Sequence, residues 1–240
     1  MSIRTQARML AATASLAIAS AASIAVAATA HAEAAAVAAP GMAIFQKVGD
    51  GNVRCTLGFT ARNAHGDRLA VTAGHCGSTG AVVTDLQGRT IGRYVATAPD
   101  DYNAHRYGYA IMALADGVDA TNKITPSVPI DRPSAGLPGD QVCLFGTTSG
   151  AKCGTITKAS NRVGVIAGFL SQHGDSGGPI IRPRDNALVG ILVAHDTAAG
   201  ETYYQPLATL EILAYASRSP IGDHLGPIVT YPPTPLERSA

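Results

Sequence analysis

The sequence predicts an all-β protein built as two Greek-key barrels, and three observations carry that prediction. Short apolar runs recur from Met42 onward with Gly, Asp and Asn between them, the punctuation of strands and turns. One interval, residues 116–140, holds Pro126, Pro129, Pro133 and Pro138, so it can hardly be a central strand and reads as a crossing between two halves. Glycine is abundant, with 26 among 240 residues, and only 15% of the chain is charged, a composition that favours β structure.

Residues 1–32 read as a processing segment. Arg4 and Arg8 supply a positive start, Met9 to about Ala28 is small and mostly apolar, and Ala30-His31-Ala32 is an A-x-A cleavage site. A stable membrane anchor fits less well, because the run is rich in alanine rather than leucine and no basic flank follows it. Cleavage after Ala32 sends the product out of the cytoplasm. Residues 33–41 form a low-complexity leader expected to be disordered, ending at Pro40-Gly41.

The main domain is expected over 42–219. Its first barrel, 42–115, collects the runs Val53–Thr60, Arg68–Thr72, Ala81–Thr84, Thr90–Thr97 and Tyr109–Leu114, with residues 63–67 turning the first run into the second. After the crossing, the second barrel, 141–206, collects Gln141–Phe145, Cys153–Lys158, Arg162–Leu170, Pro179–Ile181 and Leu188–Ala194. Leu207, Leu210, Ile212, Leu213 and Tyr215 then repeat at helical spacing, which predicts a C-terminal helix over 207–217. Residues 220–240, with Pro232-Pro233 and Pro235, read as an extended or disordered tail.

Charge and cysteines narrow the function classes. A formal net charge of +1 without a long basic run gives no reason to expect nucleic acid or an anionic membrane as a partner. The four cysteines, Cys55, Cys76, Cys143 and Cys153, lack a C-x-x-C spacing, so no metal is expected. In an oxidising compartment they allow three disulfide pairings.

Two short blocks carry chemistry. Gly174-Asp175-Ser176-Gly177-Gly178-Pro179 surrounds a serine with glycines, which lets backbone amides converge on a substrate carbonyl. Taken alone such a run is usually a turn. A serine hydroxyl also needs a base to remove its proton, and Thr72-Ala73-Gly74-His75-Cys76 offers one upstream. In this order and spacing the two blocks resemble the chymotrypsin-fold serine proteases, and over about 52–217 the bacterial secreted branch of streptogrisin-like and α-lytic-like enzymes.

That resemblance implies two six-stranded barrels, with His75 in the first, Ser176 in the second and the site between them. It implies Ser176 as nucleophile, His75 as base, and the amides of Gly174 and Ser176 as the oxyanion hole. It pairs Cys55 with Cys76 and Cys143 with Cys153. It also implies a long folding pro-region, where this chain offers only a short leader, so folding is expected to proceed without one.

Three positions depart from the family pattern. The expected Asp in front of the strand Tyr109–Leu114 is Gly108; Asp101 is the candidate acid, if the residues between bulge out, and the alternative is a His/Ser dyad. The arginine that relatives place to pair with the aspartate of the serine block is Leu144 here, so Asp175 needs another cation or several backbone donors. The Ser-Gly-Gly that lines the substrate cleft is Val193-Ala194-His195, which narrows the pocket; His195 is a ligand, a second base, a pH-sensitive gate or merely a strand-end residue. With Leu170 near the pocket base, a small or apolar side chain is expected before the scissile bond.

The resulting expectation is a secreted, monomeric serine endopeptidase acting on polypeptide substrates, without a cofactor. The alternatives are a protease-fold binding protein lacking a competent acid and pocket, and an esterase using the same machinery.

Overall fold

The computed structural model describes residues 35–63, 66–207 and 229–230. The processing segment 1–32, most of the helix expected at 207–217 and most of the tail lie outside these. Leu207 is described and is buried.

The first half of the chain alternates bulky apolar residues with small or polar ones at period two, and it folds into strands that roll into a barrel. β1 (Val37–Ala38) leads in, followed by β2 (Ala43–Val48), β3 (Gly51–Thr56), β4 (Phe59–Arg62), β5 (Arg68–Ala73), β6 (Val82–Thr84), β7 (Thr90–Ala98) and β8 (Tyr109–Leu114). The sheet runs β4-β5-β8-β7-β6-β2-β3. β3 and β4 stand at opposite ends of that order and are joined by Leu57-Gly58, so the chain bends there and the sheet curls into a half-barrel. The single run expected over Val53–Thr60 therefore breaks in its middle. Ile44, Leu69, Ile91, Ile111 and Met112 fill the interior.

The leader is not disordered throughout, as its composition had suggested. Val37 and Ala38 pair in parallel with β9 (Asp119–Ala120), and Ala38 is fully buried. The amides of Asp119 and Thr121 donate to the carbonyls of Ala36 and Ala38 at 2.9 and 3.1 Å. Hydrophobic bulk is the wrong measure for so short a pairing, because backbone bonds and a methyl-sized gap suffice.

The crossing carries β10 (Lys123–Thr125), β11 (Val128–Pro129) and β12 (Arg132–Pro133), short pieces that suit their prolines. It is fastened to the second barrel by Arg182. This buried guanidinium donates to Asp140 at 2.9 Å, to both carboxylate oxygens of Asp185 at 2.9 Å, to Ser134 Oγ at 2.8 Å and to the Ala135 carbonyl at 3.1 Å. A planar five-donor group is suited to joining that many acceptors at once.

The second barrel contains β13 (Gln141–Gly146), β14 (Gly150–Ala159), β15 (Gly164–Ala167), β16 (Pro179–Arg182), β17 (Ala187–Asp196) and β18 (Glu201–Pro206). The order β17-β16-β13-β14-β15-β18 closes through a β17–β18 pairing, making a six-stranded barrel by hydrogen bonds alone. Val142, Leu144, Ile156, Ile166, Ile180 and Tyr204 form its core. From the tail, β19 (Val229–Thr230) pairs antiparallel with β4.

Polar bonds lock the barrels face to face. The Thr56 amide donates to the Ser176 carbonyl at 2.8 Å, and Gln205 Nε2 donates to the Tyr107 carbonyl at 2.6 Å from a fully buried side chain. The end of β3 and the serine loop thus meet directly. Among the described residues no helix is long and apolar enough to cross a membrane.

Candidate active site

His75 stands on a single 3-10 turn, Gly74–Cys76, at the end of β5. A disulfide joins Cys76 to Cys55 on β3, and a second joins Cys143 to Cys153 directly across the β13–β14 pair. The first bridge ties the histidine turn to the strand that contacts the serine loop. His75 Nδ1 lies 2.5 Å from Asp100 Oδ2, and the Asp100 side chain is 1% exposed.

The carboxylate that meets His75 is therefore that of Asp100, and the expectation that Asp101 would stand there is corrected. The amide of Asp101 donates to the Arg106 carbonyl at 2.7 Å and the amide of Arg106 to the Asp101 carbonyl at 3.0 Å, closing an excursion that loops residues 102–105 outward. On this bridge the Asp101 carboxylate faces outward and takes the Arg106 guanidinium at 2.6 Å, with its side chain 41% exposed. The excursion also explains Gly108. A Cβ there would sit 1.8 Å from the Ala98 carbonyl oxygen, so only glycine fits, and its amide instead donates to Asp100 Oδ1 at 2.6 Å.

Tyr102, on the excursion, completes the cluster. Its hydroxyl donates to Asp100 Oδ2 at 3.0 Å and lies 3.2 Å from His75 Nδ1. Burial pushes the Asp100 carboxyl upward, but hydrogen bonds from His75, the Gly108 amide and Tyr102 outweigh it and hold the group below the usual carboxylate range. Burial, with the neighbouring Asp100 charge, pushes the Tyr102 phenol up to about 12. The hydroxyl consequently keeps its proton as a donor at any ordinary pH.

Ser176 follows a loop held from behind by the β13–β14 hairpin. Asp175 is fully buried, and among the described residues no cation pairs with it. Its Oδ1 accepts the amides of Thr148 and Ser149 at 2.8 and 2.9 Å; its Oδ2 accepts the Ser149 hydroxyl at 2.5 Å and the Gln172 amide at 2.8 Å. Four neutral donors replace the arginine that Leu144 lacks, which is the second of the two alternatives the sequence left open. Leu144 itself is core.

The same hairpin sets the peptide before the serine. Thr148 Oγ1 donates to the His173 carbonyl at 2.8 Å and receives Arg54 Nη2 at 2.6 Å, while Thr56 and Thr147 hydroxyls donate to the Gly174 carbonyl at 2.8 and 3.0 Å. In a planar trans peptide the N–H points opposite to the C=O, so the Gly174 amide points away from the hairpin. Gly174 holds φ +97°, and a Cβ on it would meet Thr148 Oγ1 at 2.6 Å; the conformation is glycine's.

His75 and Ser176 line one cleft of about 330 Å³ between the barrels. Val193, Ala194 and His195 line it from β17. Leu170 does not line it. That residue is 38% exposed, and its buried neighbour Ser171 takes the inner position, with Oγ 3.1 Å from His195 Nδ1. A slip of one residue in an irregular loop reverses which side chain turns inward. His173 also faces the cleft, its ring centroid 6.1 Å from that of His195 in an edge-to-face arrangement.

Sequence reasoning missed Asp100, Tyr102, Ser171, His173 and Thr148. Asp100 alone had a signal, as one of two adjacent acids; the others depend on loop paths that carry no periodicity.

A buried carboxylate behind an imidazole that shares an interbarrel cleft with a serine in a glycine-rich turn is the layout of a serine-protease fold, and the comparisons agree. An uncharacterized Mycobacterium tuberculosis protein, Rv1815, is 35% identical over 165 residues, covering 63% of this chain and 71% of that protein. Streptogrisin-C of Streptomyces griseus is 28% identical over 180 residues, 67% of this chain and 37% of its own length. The crystal structure of Nocardiopsis protease superposes with a TM-score of 0.58 at 27% identity, covering 73% of this chain and 95% of that one. No family model matches the chain. The chain belongs to the chymotrypsin-fold serine proteases.

Proposed function

We propose that the chain is a secreted serine endopeptidase. The observation that carries this reading is the 2.5 Å contact from a buried Asp100 to His75 Nδ1, made by a histidine that shares its cleft with Ser176. A carboxylate there fixes the tautomer that leaves Nε2 free to accept a proton, and it stabilises the imidazolium that results. Ser176 Oγ attacks the peptide carbonyl carbon and its proton passes to His75. The carbonyl oxygen gains the displaced electron pair and is held by the amides of Gly174 and Ser176. Collapse expels the amine, which takes the proton from His75, and water repeats the sequence to release the acyl group.

The binding-protein alternative drew on Gly108, Leu144 and His195. Asp100 and the neutral cage around Asp175 weigh against it at the first two positions, because each supplies by another route what the expected residue would have given. The two disulfides fit an oxidising compartment and so favour export.

A fluorophosphonate probe tests the reading. Wild type should label, while Ser176→Ala should not and His75→Ala should slow by several orders of magnitude. Wild type that stays unlabelled across neutral and mildly alkaline pH defeats the proposal.

A further inference from the structure

We infer that the cleft beside Ser176 is built to receive an acidic side chain, so that the bond cut is the one following a glutamate or aspartate. The inference deepens the protease reading and rests on it. It replaces the small or apolar preference expected from Leu170, which lies outside the cleft.

Besides His75, Tyr102 and Ser176, the polar side chains lining the cleft are Ser171, Gln172, His173 and His195, of which Gln172 and His173 are exposed. Ser171 is buried, and its hydroxyl meets His195 Nδ1 at 3.1 Å. This pair can hold its protons in two ways. If Ser171 donates to Nδ1, the imidazole carries its proton on Nε2; if Nδ1–H donates to Ser171, the hydroxyl proton is left over. Either way one N–H or O–H remains to be given to a ligand. Protonation of the ring adds a second donor and a positive charge. His173, edge-on to His195, supplies a further imidazole.

A carboxylate only accepts, so it matches such a site in every protonation state. An ammonium cannot accept that N–H or O–H and is disfavoured, and an amide accepts it through one oxygen only while its NH₂ competes with the donors. No Asp, Glu, Lys or Arg lines the cleft, so nothing there repels an anion or neutralises it with a full fixed charge. The acidic groups on the adjoining strands are engaged elsewhere. Asp196 accepts the amides of Ala198 and Ala199 within the β17–β18 turn, and Glu201 accepts the Tyr203 hydroxyl and faces Lys158. Val193 and Ala194 give the wall an apolar surface against which the methylenes of a glutamate pack.

The test separates recognition from chemistry. Peptides of the form acetyl-Ala-Ala-Pro-X with a free C-terminus, X being Glu, Gln, Leu or Lys, are titrated into the full chain carrying Ser176→Ala, following affinity and the His195 imidazole resonances. The Glu peptide should bind about tenfold more tightly than the Gln peptide and move the His195 signals, since a site made of donors rejects the partner that lacks full acceptor capacity. His195→Ala and Ser171→Ala should each reduce that ratio to about twofold or less. Gln, Leu or Lys binding as tightly as Glu, or no peptide binding at about 1 mM, overturns the assignment. The same four sequences, extended beyond X and offered to wild type, should be hydrolysed in the same order. A Glu peptide that is bound selectively but never cut, by protein that fluorophosphonate fails to label, keeps the assignment and removes the protease reading instead.

Discussion

The two halves of the site are held by different means. On the serine side, Asp175 and the carbonyls of His173 and Gly174 are bound from behind by two amides and three hydroxyls of the β13–β14 hairpin, from Thr147, Thr148 and Ser149, with the Gln172 amide and the Thr56 hydroxyl of β3 adding two more donors. On the histidine side a single buried carboxylate orients His75, and a loop that bulges into solvent covers it. The first half is over-determined; the second depends on one residue. Loss of any one donor behind Ser176 leaves several others, whereas loss of the Asp100 charge leaves His75 with no carboxylate.

The sharpest way to break the contrast is to exchange the two adjacent acids separately. Asp100→Asn should lower kcat by about 10⁴, because an amide at that point favours the wrong tautomer of the base. Asp101→Asn should change it by less than about twofold, since that carboxylate serves an exposed ion pair with Arg106. Equal effects in peptide hydrolysis would remove the orienting role of Asp100.

That pair of residues also marks how far the sequence could be read. The barrel strands were legible because alternation and turn residues are local signals, and the serine and histidine blocks were legible because each is contiguous. The acid was not, because its identity depends on where the chain between β7 and β8 leaves the sheet. An excursion shifts the register by one, and one residue separates a buried orienting carboxylate from an exposed one. Ser171 and Leu170 repeat the lesson in the second barrel. The Asp175 cage was legible only as a need: a buried charge had to be met, but the hairpin that meets it lies some 26 residues away in the chain. Ala38 shows the reverse error, a segment dismissed on composition that the barrel nevertheless covers.

The contrast extends to stability. In the second barrel Arg182 and Asp140 are both 6% exposed and satisfy several groups of the crossing. Asp140→Asn should lower the unfolding free energy by about 2 kcal/mol, for it takes one charged acceptor from a buried guanidinium that keeps Asp185. Breaking the exposed Asp101–Arg106 pair of the first barrel with Arg106→Ala should cost less than about 1 kcal/mol. Urea titrations compare the two. Acid sharpens the same point. Burial pushes Asp140 up, but the Leu137 amide and Arg182 prevail and hold it low, and hydrogen bonds and charge from Arg182 bring Asp185 down to about 2. A folded carboxyl below its unfolded value of about 3.9 contributes stability that is complete above that pH and is lost as pH falls through the folded value. The urea midpoint should thus hold from pH 7 to about 5 and drop between about 4 and 2, and the drop should be shallower in Asp140→Asn.

The smallest effect expected concerns Tyr102, and it asks whether the histidine half has any reserve at all. The hydroxyl donates to the same Asp100 oxygen that receives His75, from a side chain that is itself half exposed. Removing it with Tyr102→Phe deletes one donor to a charged acceptor while Gly108 and His75 remain, so the carboxylate stays ionised and in place. The loss should be about three- to tenfold in kcat, the worth of one hydrogen bond partly replaced by water, with KM nearly unchanged because the aromatic ring still borders the cleft. An effect as large as that of Asp100→Asn would mean that Tyr102 shares the orienting role, and the two halves would then be less unequal than their hydrogen bonds indicate.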